Sequence, residues 1–326
     1  MKIMVTGSAG FIGYHLCKKL LQSKFTIFGI DNLNNYYDVN LKKNRIKELK
    51  NYKKFQFNTI DLVEKRKLNS FVKKNKINKI IHLAAQAGVR KSFIDRDSYF
   101  NSNILGFYNI LEISKENNLK HLLFASTSSV YGNNKKLPSK ETFNTDEPLS
   151  FYAASKKCNE VMAYSYSNMF NLPVTCMRFF TVYGPSGRPD MALYKFTKSI
   201  TKNEKLILHN YGNHKRDFSY ISDVIYFIEK LVKKPSTDSI PYNCFNLASG
   251  KKETLIKFLS IIENKLKKKG KYIKSNLNKG EVIETHGDIS KIKNFTKIEP
   301  KISIYKGIPE FINLINFDIL PFAPNP

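Results

Sequence analysis

Three glycines at three-residue intervals, Gly7-Ser-Ala-Gly10-Phe-Ile-Gly13, separate an apolar run, Lys2–Thr6, from a stretch of helical periodicity, Phe11–Gln22. A strand, a tight turn and a helix in that order open a βαβ unit, and few other arrangements suit the pattern. Glycines let the backbone turn sharply and approach a pyrophosphate, while the helix N-terminus supplies N–H groups and the positive end of a dipole. The second strand, Phe25–Ile30, runs into Asp31. A carboxylate at that strand end takes both ribose hydroxyls of a dinucleotide and repels a 2′-phosphate. The expected cofactor is therefore NAD rather than NADP, held by Gly7, Gly10, Gly13 and Asp31, although the spacing is GxxGxxG and not GxGxxG.

The alternation continues. Strands are expected at Lys54–Thr59, Lys79–Ala84, His121–Ala125 and Val174–Arg178, and helices at Val63–Lys74, Ser98–Asn117 and Tyr152–Phe170. Right-handed crossovers then give a parallel sheet with helices on both faces. Gly184, Pro185, Gly187 and Pro189 mark a loop where this rhythm loosens. Beyond it a helix Met191–Thr201, a strand Leu206–Asn210, a helix Asp223–Val232, a strand Phe245–Leu247 and a helix Glu253–Lys268 are expected, with a Pro-rich, loosely held tail at Leu320–Pro326. The expected fold is α/β: a Rossmann-type doubly wound parallel sheet over residues 1–180, and a smaller mixed α/β substrate-binding cap over 181–326. The chain is expected to return to the sheet near 217–245.

The formal net charge of +27 suggests nucleic acid, but only seven of the 54 basic residues are Arg. The lysines are scattered over helical faces, and no zinc-finger or aromatic-basic motif accompanies them, so a nucleic-acid partner is not expected. The positive field favours an anionic substrate. Cys17, Cys158, Cys176 and Cys244 lack ligand spacing, so free thiols and no metal are expected. No apolar run approaches a membrane span, and the N-terminal segment lacks the pattern of a signal peptide. A cytoplasmic protein is expected.

Asp61-Leu62 closes the third strand, where an adenine contact is expected, though Asp61 could simply cap the next helix. Leu83-Ala84-Ala85-Gln86 closes the fourth; its small residues let backbone approach the cofactor. His82 before it reads as a core histidine. Tyr152-Ala-Ala-Ser-Lys156 places a phenol and an ammonium on one helical face. A cation one turn away, with a cationic nicotinamide, lowers a phenol from its usual value of about 10 toward working pH. That is what a general base for alcohol oxidation needs. Ser126-Thr127-Ser128-Ser129 adds hydroxyls at the preceding strand end.

Taken together, these stretches resemble the extended short-chain dehydrogenase/reductases of the epimerase/dehydratase group, and within it the UDP-glucuronate 4-epimerases. The resemblance rests on Asp31-NLNNYYDVNLK, His82-LAAQAGVR-Lys91-Ser92, Ser126-TSSVYG, Tyr152-AASK, Arg178-FFTVYGPSGRPDMALYKFT and Arg216-DFSYISD, and it covers nearly the whole chain. It implies Tyr152 as acid/base, Lys156 tuning it and holding the nicotinamide ribose, Thr127 on the sugar 4-oxygen and Ser128 assisting. It implies that Phe11, Ile12, Asn32, Asn35, Asp61, Leu62 and Gln86 join the glycines and Asp31 around NAD, and that Asn103 is close to sugar or cofactor. Arg216 would meet the nucleotide diphosphate, Glu281 a nucleotide ribose and Arg90 the substrate, with Thr181 and Arg188 on the C6 carboxylate. It further implies a homodimer built on the two long helices and a place in polysaccharide biosynthesis.

Dehydratases and decarboxylases of this group usually carry an acidic residue where Ser128 and Ser129 stand, so elimination is not expected. A 4-keto-glucuronate is a β-keto acid, and a Thr181/Arg188 clamp would keep its carboxylate out of alignment with the carbonyl. The expected activity is epimerisation of UDP-glucuronate to UDP-galacturonate through a 4-keto intermediate. The alternative is a 4-epimerase of UDP-glucose or a UDP-N-acetylhexosamine.

Overall fold

The computed structural model describes residues 1–278 and 280–314; the tail Leu320–Pro326 lies outside the described residues. In chain order the first half runs β1 (Lys2–Thr6), α1 (Phe11–Gln22), β2 (Thr26–Asp31), α2 (Val39–Leu49), β3 (Phe55–Thr59), α3 (Lys65–Asn75), β4 (Lys79–His82), α4 (Arg96–Tyr99), α5 (Gly106–Glu116), β5 (His121–Thr127), α6 (Phe151–Phe170) and β6 (Val174–Phe179). The second half continues β7 (Thr181–Tyr183), α7 (Ala192–Thr201), β8 (Lys205–Leu208), β9 (Lys215–Tyr220), α8 (Ile221–Leu231), β10 (Tyr242–Leu247), β11 (Lys252–Thr254), α9 (Leu255–Leu266), β12 (Lys271–Lys274), α10 (Ser290–Thr296) and α11 (Ile304–Leu314).

Seven strands form one parallel sheet in the order β10-β6-β5-β4-β1-β2-β3. The chain winds outward from β1 to β3, then crosses back to β4 and winds the other way. The crossover leaves a crevice at the carboxyl ends of β1 and β4, where ligands bind in open α/β sheets. Alternation within each strand divides the core. Ile3 and Val5 pack with α1 and α8 on one face, while Met4 packs with α3 and α5 on the other. Apolar side chains on both faces make these strands read as continuous hydrophobic runs.

Two smaller sheets, β11-β9-β7 and β12-β8, come from the second half. β10 returns to the edge of the large sheet, with Cys244 opposite Cys176.

Two sequence expectations change. Ser98–Asn117 is not one regular α-helix: α4 and α5 are joined by a π-helical turn, Phe100–Leu105. That turn carries Asn103, fully buried, whose amide bonds the backbone of Gln86 in both directions. α2 was not anticipated, because its one turn-periodic apolar pair, Ile46 and Leu49, is outnumbered by polar residues; Lys42 and Arg45 on it are themselves buried.

Candidate active site

A cleft occupies the crevice between the two windings of the sheet. The glycine loop forms its floor. Gly7 has φ +70°, and a Cβ there would lie 2.7 Å from the Ala84 backbone nitrogen. A Cβ on Gly13 would strike the Gly7 carbonyl. Both positions therefore require glycine, and the loop packs directly on the end of β4. Gly10, Phe11 and Ile12 also border the cleft.

Asp31 receives the Ala9 N–H at 3.2 Å and the Leu33 N–H at 2.8 Å. Burial raises its pKa, opposed first by the nearby Lys42 ammonium. Asn32 donates to Asp61 at 2.8 Å, and the other Asp61 oxygen accepts the Val63 N–H at 3.1 Å. Asp61 thus caps a turn and borders the cleft at once, and the two readings of the sequence are not exclusive. Leu62, Leu83, Ala84, Ala85 and Gln86 complete this wall. The Gln86 side-chain nitrogen is buried without a hydrogen-bond partner. A buried orphan donor beside a glycine loop and a ribose-type carboxylate fits a dinucleotide.

Ser150 caps α6 by accepting the Ala153 N–H at 3.1 Å, which fixes Tyr152 in the first turn. Tyr152, Thr127 and Lys156 all face the cleft. Burial raises the Tyr152 pKa; the Thr127 hydroxyl and the Arg188 guanidinium pull it back. Lys156 is 2 % exposed and donates to the Ala125 carbonyl at 2.9 Å. Burial lowers its pKa to about 8. The groups that act on the phenol are therefore Thr127 and Arg188, and Lys156 gives one of its three ammonium donors to the β5 backbone.

Arg188 makes a fork onto Asp190, with Nε to Oδ1 at 2.9 Å and Nη2 to Oδ2 at 2.5 Å. Its guanidinium also lies over the Tyr36 ring, 5.5 Å from the centroid. The pair ties the loop on itself, yet Arg188 borders the cleft as well. Among the described residues its Nη1 has no hydrogen-bond partner. Thr181 begins β7 and borders a smaller adjoining pocket, which Arg188 also reaches.

Arg90, Glu281 and Arg216 stand together away from the cleft wall. Arg90 pairs with Glu281 at 2.6 Å, and Asn278 donates to the same carboxylate at 3.2 Å. Arg216 donates to the Lys215 and Ile283 carbonyls, and burial lowers its pKa to about 10 against the pull of Glu281. Its sequence neighbour Asp217 is engaged elsewhere, by Ser249, Gly250 and Gly287. Ser128 and Asn35 do not border the cleft; Asn35 is exposed, and its neighbours Asn34 and Tyr36 line the wall instead. Asn103 sits behind the wall, bonded to Gln86 and to Ser155 on α6. His82 is buried against Thr6, as a core histidine should be.

Sequence reasoning did not find Tyr36, Tyr37, Lys42 and Met191, which also border the cleft. The segment holding the first three was quoted only as part of a resemblance. The spacing Asp38, Lys42, Arg45, with Asp38 accepting the Asn40 N–H, was the available sign of a capped helix with a basic stripe.

A doubly wound sheet with a glycine-floored cleft and a Tyr/Lys pair at its rim defines a dinucleotide-dependent enzyme. The chain belongs to the NAD dependent epimerase/dehydratase family, whose profile matches residues 3–247. It is 41% identical to protein CapI of Staphylococcus aureus, over 96% of this chain and 98% of that one. It is 39% identical to the UDP-glucuronate 4-epimerase of Thermodesulfobacterium geofontis, over 95% and 94%. Among solved structures it resembles the UDP-glucuronic acid 4-epimerase of Bacillus cereus in complex with UDP-glucuronic acid and NAD, with TM-score 0.90, 32% identity, and coverage of 98% and 99%. No helix among the described residues is long and apolar enough to cross a membrane.

Proposed function

We propose that this chain is an NAD-dependent 4-epimerase that interconverts UDP-glucuronate and UDP-galacturonate. The observation that carries the sugar assignment is the Arg188 guanidinium, set in the same cleft as the Tyr152 phenol with Nη1 uncommitted. A fixed cation beside the reacting centre suits a hexuronate, and the relatives named above point the same way. Residues 1–180 with α8 and β10 form the nucleotide-binding part, and the rest of 181–326 supplies the cap.

The chain's groups divide the work as follows. Bound NAD supplies the hydride acceptor and donor and a positive charge near the phenol. Tyr152 takes the proton of the sugar 4-hydroxyl and later returns it to the 4-oxygen. Thr127 orients that oxygen by hydrogen bonding; Ser128, outside the cleft wall, takes no part in this reading. Lys156 holds the nicotinamide ribose through its two remaining donors. Gly7, Gly10, Gly13 and Asp31 seat the pyrophosphate and adenosine ribose. Arg188, with Thr181 beside it, holds the carboxylate so that the C5–carboxylate bond stays out of line with the 4-keto π-system, which suppresses loss of CO₂. Arg90, Arg216 and Glu281 receive the nucleotide end. Rotation of the 4-keto sugar presents its other face, so the reaction is redox-neutral.

The homodimer belongs to the same proposal. α5 and α6 pack on each other, and Tyr108, Val161, Tyr164 and Met169 leave 40–64 % of their surface exposed on these helices. Large apolar side chains exposed on two helices that pack together support this reading. A cytoplasmic setting and a role in polysaccharide biosynthesis complete the reading.

The test is an NMR time course of UDP-glucuronate with pure protein and catalytic NAD. UDP-galacturonate accumulating to a stable mixture supports the proposal. UDP-pentose formation refutes the carboxylate clamp. Turnover of UDP-glucose or UDP-N-acetylhexosamines alone establishes the alternative sugar.

A further inference from the structure

The glycine loop and the loop carrying Arg188 both border the cleft, and a single side chain holds the two together. Arg45, on α2, is 4 % exposed. Its Nη1 donates to the Ala9 carbonyl in the glycine loop and to the Tyr37 hydroxyl, both at 2.9 Å. Its Nη2 donates to the Ser186 carbonyl at 2.8 Å and the Gly187 carbonyl at 3.2 Å. Gly187 immediately precedes Arg188. Ser186 is held at φ +53°, a left-handed conformation unfavourable for a non-glycine residue. A loop bent in this way keeps its shape only when its surroundings fix it.

Ala9 is gripped from both sides. Its carbonyl takes Arg45, and its N–H is bound by Asp31, the carboxylate assigned to the adenosine ribose. A continuous series of hydrogen bonds therefore runs from Asp31 through Ala9 and Arg45 to Ser186 and Gly187. From there one covalent step reaches the guanidinium that acts on the Tyr152 phenol. His15 on α1 adds a separate bond to the Pro185 carbonyl at 2.8 Å, and Tyr36 contacts Asp190 and Arg188. Those contacts fix the ends of the loop. Arg45 alone of these bonds the glycine loop and the Arg188 loop together.

We propose that Arg45 is a positioning residue for sugar selectivity: by tying the Arg188 loop to the glycine loop, it places Arg188 to recognise the sugar carboxylate only when the nucleotide half of the site is in order. The inference rests on the reading of Arg188 as the carboxylate contact. A side chain that merely filled space on α2 would affect nucleotide and sugar binding alike. A positioning residue affects the carboxylate term, because a misplacement of about 1 Å is enough to lose most of an oriented contact.

The experiment measures binding of UDP, UDP-glucose and UDP-glucuronate by calorimetry to the NAD-loaded protein, in the wild type and in Arg45→Met and Arg45→Lys. The wild type is expected to prefer UDP-glucuronate over UDP-glucose. Arg45→Met is expected to reduce that preference by about tenfold or more, with UDP affinity within about twofold of wild type. Arg45→Lys, which retains a cation and fewer donors, is expected to fall between. An unchanged preference in Arg45→Met, or equal weakening of all three ligands, overturns the positioning role. If Arg45→Met does not fold, the same comparison is read from Arg45→Lys, where an unchanged preference is likewise fatal. A wild type without any preference for the carboxylated sugar refutes the reading of Arg188 itself, and this role with it.

Discussion

Removing the Glu160 carboxylate should destabilise the protein far more than removing it together with its partner. Glu160 lies on α6, one turn beyond Lys156, and pairs with Arg178 on β6; both side chains are 6 % exposed. Arg178 Nε and Nη2 donate to the two carboxylate oxygens at 2.9 and 2.7 Å, and the Ser126 hydroxyl adds a third bond at 2.5 Å. In Glu160→Ala the guanidinium keeps one carbonyl, that of Glu141 at 3.2 Å, and the face of the Tyr131 ring at 4.9 Å. Two contacts do not compensate a buried cation. Breaking a buried pair from one side costs about 3–5 kcal/mol, against a total of roughly 5–15 kcal/mol for a folded domain. Replacing both partners by Met restores apolar packing, and such exchanges are often neutral or better. Urea unfolding followed by circular dichroism should therefore show the midpoint of Glu160→Ala falling by on the order of 1 M, with Glu160→Met/Arg178→Met recovering most of that. A double variant as unstable as the single one would show that the charges contribute favourably in themselves, and would refute the desolvation argument.

Three other outcomes are expected. Tyr152→Phe removes the proton acceptor and should lower kcat by about 10²–10⁴-fold, while NAD affinity measured by fluorescence stays within about twofold; retained turnover would remove Tyr152 from its role. Gly7→Ala adds a Cβ 2.7 Å from the Ala84 nitrogen at a positive φ, so NAD binding should weaken at least about tenfold, the left-handed strain alone being about 1–2 kcal/mol. His82 and His121 are each held near a pKa of about 3 by burial. The native state then stays neutral while the unfolded chain protonates below about 6.5, so stability is lost as pH falls from 6.5 toward 3. The limiting slope from the two groups is about 3 kcal/mol per pH unit, and His121→Gln should roughly halve it in urea titrations at pH 4–6.

The nucleotide half was legible because its rules are local. The glycine loop, Asp31 and Thr127 each sit at the end of a strand that shows in the hydrophobic pattern, a parallel sheet brings strand ends together without further information, and the Tyr152/Lys156 pair opens a helix whose period puts both on one face. What governs Arg188 was not legible. Its closeness to the phenol depends on a loop with a non-glycine residue at positive φ, and on Arg45 from a helix whose apolar stripe is two residues wide. The same applies to the Arg90–Glu281 pair, which joins residues 191 positions apart. Asn103 was placed close to sugar or cofactor by resemblance; that a π-helical turn buries it against the Gln86 backbone, behind the cleft wall, was not legible. Periodicity reports which face of an element is buried, and says little about which buried polar group meets which.

The strand β10 has a bearing on biosynthesis. It pairs with β6 along Tyr242–Leu247 and closes the edge of the large sheet, but the ribosome makes it some sixty residues after β6. Until then the nucleotide-binding sheet ends on a bare edge, with the unmatched backbone groups of Val174–Phe179 open to any passing strand. Residues 181–241 must therefore emerge before the sheet can be completed. A chain halted near residue 180 would be an unfinished and aggregation-prone sheet rather than a free-standing nucleotide binder.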